Sequence, residues 1–521
     1  MNPVKEDVGT ILWVDDEIDL LSAHIIFLEE RGYKVLRATN GDDAIQLVAR
    51  GGIDLVLLDE MMPGRDGLST LEGIKDVNAL LPVIMVTKSE EEHLMNEAIG
   101  KKIDDYLTKP VNLSQVLSAI KKILERQKLT ENTLTREFVT DFSKINSMLS
   151  GPLHWKDWIE IHVKLSEIDL ELERFRDVGL KQSHQDLRKS SSAEFGAFVI
   201  RNYRDWLASN DGPPLSVKVV EHHLLPLLKE GVQTFFIVVD CMRLDQWLMI
   251  EPILGEYFSI KKDYYYSILP TATPFSRNSI FAGEYPDKVA ELYPELWDRG
   301  ANETGRNRHE RQLLDRQLAK LGLKFKNEPK YVKVLDFDEG QNLARKINSY
   351  SATPLLSVVY NFVDILVHGR SESEILQEVA PNEAAFRSLM RSWFEYSHMF
   401  EMLRKISEWD CAVVITTDHG SVIGTKGALA YGKKDTSTNL RYKYGDNLNC
   451  DPKQAWLVKE PKKLRLPTWG LATTYIIALE DYYFVYPTKY SEYRRQYQNS
   501  FQHGGISLDE MILPVITLKP K

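Results

Sequence analysis

From Gly9 to about Gln127 the chain alternates between short apolar runs and amphipathic stretches. The runs are Thr10–Val14, Lys34–Ala38, Ile53–Leu58, Pro82–Val86 and Ile103–Leu107. Segments with apolar positions three and four apart, such as Leu20 to Arg31 and Leu113 to Arg126, separate and follow them. This alternation predicts five βα units built around a doubly wound parallel sheet. Ligands of such sheets sit beyond the carboxyl ends of the strands. The residues placed there are Asp15, Asp16, Asp59, Thr87, Lys109 and Pro110.

From Lys128 to about Asn210 the strand signal stops. Trp158, Ile161, Leu165, Ile168, Leu172 and Phe175 step by three and four, as do Phe195, Val199, Asn202 and Trp206. Both series predict packed amphipathic helices, punctuated at Gly151–Pro152 and at Asp211-Gly212-Pro213-Pro214. After Pro214 the βα rhythm resumes, with runs at Thr234–Val239, Ser357–Phe362, Ala412–Thr416, Trp469–Ala478 and Met511–Leu518. The expected division is residues 1–127, a helical bundle over 128–210, and a second α/β domain over 211–521.

At 521 residues the chain is long enough for about three or four folding units. It carries 65 Lys and Arg against 75 Asp and Glu, a net charge of −10. That balance argues against coating nucleic acid or an anionic membrane by bulk charge, so a phosphate-bearing ligand must be met by a local pocket. Cys241, Cys411 and Cys450 are too few and too scattered for a disulfide framework, which fits a reducing cytoplasm. The first ten residues lack the charged-then-apolar pattern of an export signal. The longest apolar stretch, Pro354 to Val367, is too short for a bilayer and contains Asn361 and Asp364. We therefore expect a cytoplasmic protein without membrane insertion.

Asp15, Asp16 and Asp59 would meet at one sheet edge, where like charges are costly unless a hard cation such as Mg²⁺ neutralises them. Lys109 would reach a phosphoryl oxygen there, and Thr87 would hydrogen-bond to it. The motifs WVDDE, LLDEMMPGRDG, VTK and YLTKP resemble those of the response-regulator receiver domain, a flavodoxin-like fold. That resemblance implies phosphorylation of Asp59 by a histidine kinase. It also implies Mg²⁺ held by Asp15, Asp16, Asp59 and the Met61 carbonyl, a switch formed by Thr87 and Tyr106, and a cis bond before Pro110. Lys88 departs from the family, which usually has a small residue there.

The second domain carries a divided set of ligands. Asp240 ends one apolar run, and Asp418-His419-Gly420 follows another. Leu269-Pro270-Thr271-Ala272-Thr273-Pro274 offers two hydroxyls, Asp364 stands four residues before His368, and His503-Gly504-Gly505 precedes the last run. A helical i, i+4 spacing puts Asp364 and His368 on one face. Imidazole nitrogen with carboxylate oxygen suits zinc, and the set is large enough for two ions. Two zinc ions about 4 Å apart would clamp a phosphoryl group and activate a threonine hydroxyl. The order of these motifs resembles the alkaline phosphatase superfamily, and VVDCMRLD with LPTATPFSRNSIFAG resembles its PglZ domain. The resemblance implies one metal on Asp364, His368 and His503, and another on Asp240, Asp418, His419 and the nucleophile. Thr273 is preferred over Thr271 as that nucleophile, although sequence alone does not aim either hydroxyl.

Lys426, Lys433, Lys434, Arg441, Tyr442, Lys443 and Tyr444 mix cations with aromatic rings, which suits short single-stranded nucleotides. A solvated charged loop explains the same residues. Arg277, Asn278, Arg441 and Lys443 are the expected substrate contacts. Receiver, helical linker and PglZ domain in one chain resemble the PorX-type response regulators associated with type IX secretion in Bacteroidota. This implies a homodimer on phosphorylation, a sigma factor as a partner, and a zinc phosphodiesterase acting on nucleotides or oligonucleotides. No helix-turn-helix follows the receiver, so stable duplex DNA binding is not expected. The alternatives are a non-enzymatic signalling scaffold and a monoester phosphatase or sulfatase.

Overall fold

The computed structural model describes residues 8–78, 80–88, 103–173, 178–209, 211–297, 307–432, 439–470, 472–487 and 490–521. The chain divides into two compact units, Met1–Thr140 and Asp141–Lys521. Phe175, Lys433, Lys434 and the helix expected after the fourth receiver strand lie outside the described residues.

In the first unit, five strands form a parallel sheet in the order Tyr33–Ala38, Gly9–Val14, Leu55–Asp59, Val83–Thr87, Asp105–Thr108. Strand residues alternate between faces, and both faces are covered: Ile11, Trp13, Leu55 and Leu57 pack into one core, while Leu12, Val14, Val56 and Leu58 pack into the other. Two helix boundaries differ from expectation. The first helix is a 3₁₀ turn, Ile18–Leu21, followed by Ser22–Glu29. The helix beginning at Leu113 runs to Leu149 rather than ending at Arg126. Neither glycine nor proline interrupts it before Gly151, so nothing local stops propagation.

The second unit begins with helices Trp155–Leu172 and Val178–Ala208. Trp158, Ile161, Leu165, Ile168 and Leu172 are buried, and Trp158 meets Phe195 edge-on at 5.3 Å. These helices pack on the domain that follows: Tyr266 Oη donates to the Trp155 carbonyl, and Leu269 N–H donates to Tyr203 Oη.

That domain is built on a six-stranded sheet in the order Phe258–Tyr266, Ile512–Pro520, Cys411–Thr416, Gln233–Val239, Leu355–Tyr360, Lys330–Val334. Cys411–Thr416, Gln233–Val239, Leu355–Tyr360 and Lys330–Val334 are mutually parallel, whereas Ile512–Pro520 runs antiparallel to both of its neighbours. Phe258–Tyr266 and Lys330–Val334 escape the sequence reading because their burial is interrupted by charged positions. The run Trp469–Ala478 is corrected: only Thr473–Ala478 is a strand, and it pairs with Tyr442–Asp446 and Ala455–Val458 in a separate small sheet.

Candidate functional site

In the first unit Asp15, Asp16 and Asp59 form an acidic cluster, their ligand atoms all within 4.8 Å of one another. Asp15 and Asp59 are buried, and Lys109 Nζ lies 2.9 Å from the first and 3.0 Å from the second. Burial raises the Asp59 carboxyl above its ordinary range; Lys109 opposes this, and Asp15 and Asp16 add to it. For Lys109, burial alone would lower the ammonium, but its hydrogen bonds to Asp15 and Asp59 hold it above the usual lysine value. The Thr87 hydroxyl donates to the Glu60 carboxylate, a partner the sequence did not suggest. Tyr106 is 40% exposed, Lys88 and Met61 are exposed, and the Lys109–Pro110 bond is cis.

In the second unit the divided motifs converge. Asp240 follows Gln233–Val239, and Asp418 with His419 lies just past Cys411–Thr416, the strand beside it. These side chains form one cluster; Asp364, His368 and His503 form another, each with ligand atoms within 4.8 Å. His368 Nε2 is 3.1 Å from His503 Nε2, and Asp364 Oδ1 is 3.4 Å from the former and 3.6 Å from the latter. The His419 and His503 rings stack at 4.2 Å, which joins the clusters.

The two threonines separate. Thr273, the first residue of the helix Thr273–Ala282, places Oγ1 2.9 Å from His419 Nε2 and 3.3 Å from Asp240 Oδ1. Thr271 Oγ1 instead donates to the Gly505 carbonyl at 2.7 Å, so the structure corrects its candidacy as nucleophile or metal ligand. A buried hydroxyl already committed to a backbone carbonyl is held in the turn.

The motif glycines Gly420 and Gly505 answer to close packing. A Cβ on Gly420 would fall 1.9 Å from the Asp509 carbonyl, and one on Gly505 would fall 2.3 Å from Arg441 Nη2. Cys241, directly after Asp240, holds φ at 66°, a left-handed conformation uncommon for a side-chain-bearing residue. That turn points the Met242 N–H at Thr417 Oγ1, 3.0 Å away.

The donor set fits divalent metal. Asp240 and Asp418 bury neighbouring carboxylates, 1% and 0% exposed. Asp418 Oδ2 has no hydrogen-bond donor among the described residues. Burial and then Asp240 push the Asp418 carboxyl well above its ordinary range, against the pull of Arg277. Burial lowers His419, which keeps a ring nitrogen lone pair available. Burial would raise Asp364, yet His368 and His503 hold it below the ordinary range.

Several expected substrate contacts are corrected. Arg277 is 1% exposed and pairs with Asp240 and Glu310, each at 2.5 Å, so it braces a carboxylate. Asn278 donates to the Pro274 carbonyl of its own helix. Arg441 is fully buried against Glu510 at 2.6 Å, and Lys443 is buried and donates to the Asn439 carbonyl. Lys426 pairs with Asp481 at 2.9 Å. Arg277 and Arg441 face inward because buried carboxylates from distant parts of the chain meet them there, whereas Lys426 stays half-exposed and Lys443 is held by a carbonyl four residues away. Asn361, which donates to Asp240 at 2.8 Å, was missed; its place just past a strand end was the available signal.

The PglZ family, described as a BREX system alkaline phosphatase-like domain, matches residues 219–518. The chain belongs to this family. Ahead of that PglZ domain, the response regulator receiver domain family matches residues 11–121, and the PorX response regulator linker domain family matches 128–207. Receiver, PorX linker and PglZ follow one another in the order of a PorX-type response regulator.

The transcriptional regulatory protein ResD of Bacillus subtilis is 37% identical over 120 residues, covering 23% of this chain and 50% of that one. PhoP of the same organism, an alkaline phosphatase synthesis transcriptional regulatory protein, is 28% identical over 167 residues, or 32% of this chain and 68% of its own. This PglZ-bearing chain thus spans about half the length of ResD. A CheY-like receiver domain protein from Methanospirillum hungatei aligns with a TM-score of 0.23 and 28% identity, covering 23% of this chain and 98% of its own. Among the described residues no helix is long and apolar enough to cross a membrane.

Proposed function

We propose that this response regulator is phosphorylated on Asp59 and carries a zinc-dependent phosphodiesterase as its effector. The observation that carries the enzymatic part is the Thr273 hydroxyl beside Asp240 and His419, with the second acid-imidazole cluster joined through stacked His419 and His503. Asp240, Asp418 and His419 would hold one zinc ion, and Asp364, His368 and His503 the other. Bound zinc would polarise the phosphoryl oxygens and lower the pKa of a coordinated hydroxyl.

The side chains supply the rest. Thr273 Oγ would give up its proton and attack phosphorus, forming an Oγ–P bond as the P–O bond to the leaving group breaks and that oxygen takes up a proton. Water then attacks phosphorus, breaking the Oγ–P bond, returning a proton to Oγ and releasing the phosphate monoester. Its position at a helix start adds positive potential to the developing alkoxide. Arg277, by pairing with Asp240 and Glu310, keeps that carboxylate oriented.

In the receiver, Asp15, Asp16, Asp59 and the Met61 carbonyl would hold Mg²⁺, Lys109 would meet the phosphoryl group, and Thr87 with Tyr106 would read it. The PorX-type order supports dimerisation on phosphorylation, a sigma factor partner and regulation of type IX secretion from the cytoplasm.

Zinc content of the purified protein, with turnover of a chromogenic phosphodiester, monoester and sulfate, tests this reading. Two zinc ions and preferential diester hydrolysis are expected. Zinc without turnover of any ester would leave a scaffold, and a preference for the monoester would reassign the reaction.

A further inference from the structure

One cavity at the carboxyl edge of the six-stranded sheet has no part in the chemistry above. It measures about 400 Å³ and lies where Leu355–Tyr360 and Lys330–Val334 end. Tyr360, which lines it, is the register partner of Val239, and its carbonyl accepts the Asp240 N–H at 2.8 Å. The next residue, Asn361, donates to the Asp240 carboxylate at 2.8 Å. Phe362 lines the cavity and opens the helix that carries Asp364 and His368. The strand-to-helix turn at Tyr360–Phe362 therefore carries part of the cavity wall, hydrogen-bonds to Asp240 of one cluster and leads into the helix bearing Asp364 and His368 of the other.

The walls are aromatic. Phe362 and Trp393 stack at 4.2 Å and 7°, and Phe337 lies 4.6 Å from the His398 ring. Phe337 and Tyr396, both lining the cavity, are 68% and 85% exposed. Two polar atoms among these rings are unmatched: Tyr360 Oη, in a residue only 3% exposed, and His398 Nε2 have no hydrogen-bond partner among the described residues. His398 Nδ1 sits 3.1 Å from Glu401 Oε2, so in the neutral imidazole Nδ1 donates and Nε2 is left as an acceptor. A buried polar atom without a partner is costly, and a ligand with edge donors and acceptors would recover that cost. A mostly apolar cavity with a few convergent polar atoms is the ordinary form of a small-molecule site.

We propose that this cavity is a nucleobase subsite, in which a flat heterocycle is covered by Phe337 and Tyr396 and meets Tyr360 Oη and His398 Nε2 at its edge. It deepens the phosphodiesterase reading, on which it rests for the rest of the substrate, and it replaces the segment around buried Arg441, Tyr442 and Lys443 as the place where a base stacks.

The test is calorimetric titration of the full-length protein with the four ribonucleosides and, as a control, indole. At least one nucleoside should bind, at least tenfold more tightly than indole. Because base–aromatic stacking is worth about 1–3 kcal/mol, Tyr396→Ala should weaken binding roughly fivefold or more, and that exposed position leaves the fold intact. Tyr360→Phe should weaken it severalfold by removing one oxygen. Absence of nucleoside binding at millimolar concentration, equal binding by both variants and wild type, or indole binding as tight as the nucleosides would each overturn the subsite. Nucleosides contain no phosphodiester, so a protein that binds them without hydrolysing diesters overturns the reaction alone, and an active protein that ignores them overturns the subsite alone.

Discussion

Thr271 and Thr273 stand two residues apart on one turn, yet one hydroxyl is committed to the Gly505 carbonyl and the other is 2.9 Å from His419. Thr273→Val removes the attacking oxygen at nearly constant volume. It should lower diester turnover by on the order of 10⁴ or more, with circular dichroism and most of the zinc unchanged. Thr271→Val should leave turnover within roughly tenfold and lower stability by about 1–3 kcal/mol, since it leaves a buried carbonyl without its donor. Steady-state rates beside urea melts separate the two; a dead Thr271→Val with an active Thr273→Val would reverse the assignment.

His162 offers a second residue-scale test. It is fully buried, neither ring nitrogen has a partner among the described residues, and burial pushes it down to about 4 from 6.5. Asp509 and Asp245 face it and favour its charge, whereas Arg188 and Arg243 oppose it. As pH falls below 6.5 the unfolded chain takes up the proton first, so stability present above that value is lost progressively down to about 4. By pH 5 the loss should reach about 2 kcal/mol. Denaturant midpoints at pH 7 and pH 5 should converge when His162→Phe is compared with wild type, and an unchanged pH slope in the variant would refute this.

At the scale of elements, the linker helices are tied to the segment that follows His503. Arg188 on Val178–Ala208 pairs with Asp169 on Trp155–Leu172 at 2.5 Å and with Asp509 at 2.7 Å. The Asp509 carbonyl in turn packs against Gly420, next to His419. Removing the shared cation leaves largely buried Asp169 with His184 at 2.7 Å and takes from Asp509 the guanidinium at 2.7 Å; breaking a buried pair costs up to about 3–5 kcal/mol. Arg188→Ala should therefore lower the unfolding free energy by that order, read as a shift in denaturant midpoint at constant m-value. A midpoint within error of wild type would mean the helices are held by apolar packing alone.

At the scale of the whole molecule, the acidic cluster around Asp59 and the two acid-imidazole clusters belong to separate compact units. Additivity is expected for distant sites. Asp59→Ala should leave zinc stoichiometry unchanged, whereas His503→Ala and Asp364→Ala should each reduce it; metal analysis decides this. Acetyl phosphate with Mg²⁺ should shift wild type from monomer toward dimer in light scattering, because a phosphoryl group beside Lys109 draws in Thr87 and Tyr106 and biases the surface they control. The same mass before and after confirmed phosphorylation would sink the dimer.

The parallel receiver sheet, its strand-end carboxylates and the linker helices were legible because each is written locally. Short, nearly continuous apolar runs mark strands covered on both faces, three-four spacing marks helices, and Asp, Thr and Lys stand just after the runs. The chain order of Asp240, Thr273, Asp364, Asp418 and His503 was likewise visible, as a set of motifs. Tertiary structure decided which of those residues face one another: His419 stacks on His503, Asn361 reaches Asp240, and Arg441 turns inward to Glu510, 69 residues further on. A local pattern records whether a side chain is buried. It does not record which distant atom meets it there, and for a buried charge or hydroxyl that partner determines whether the group supports the fold or stands ready for chemistry.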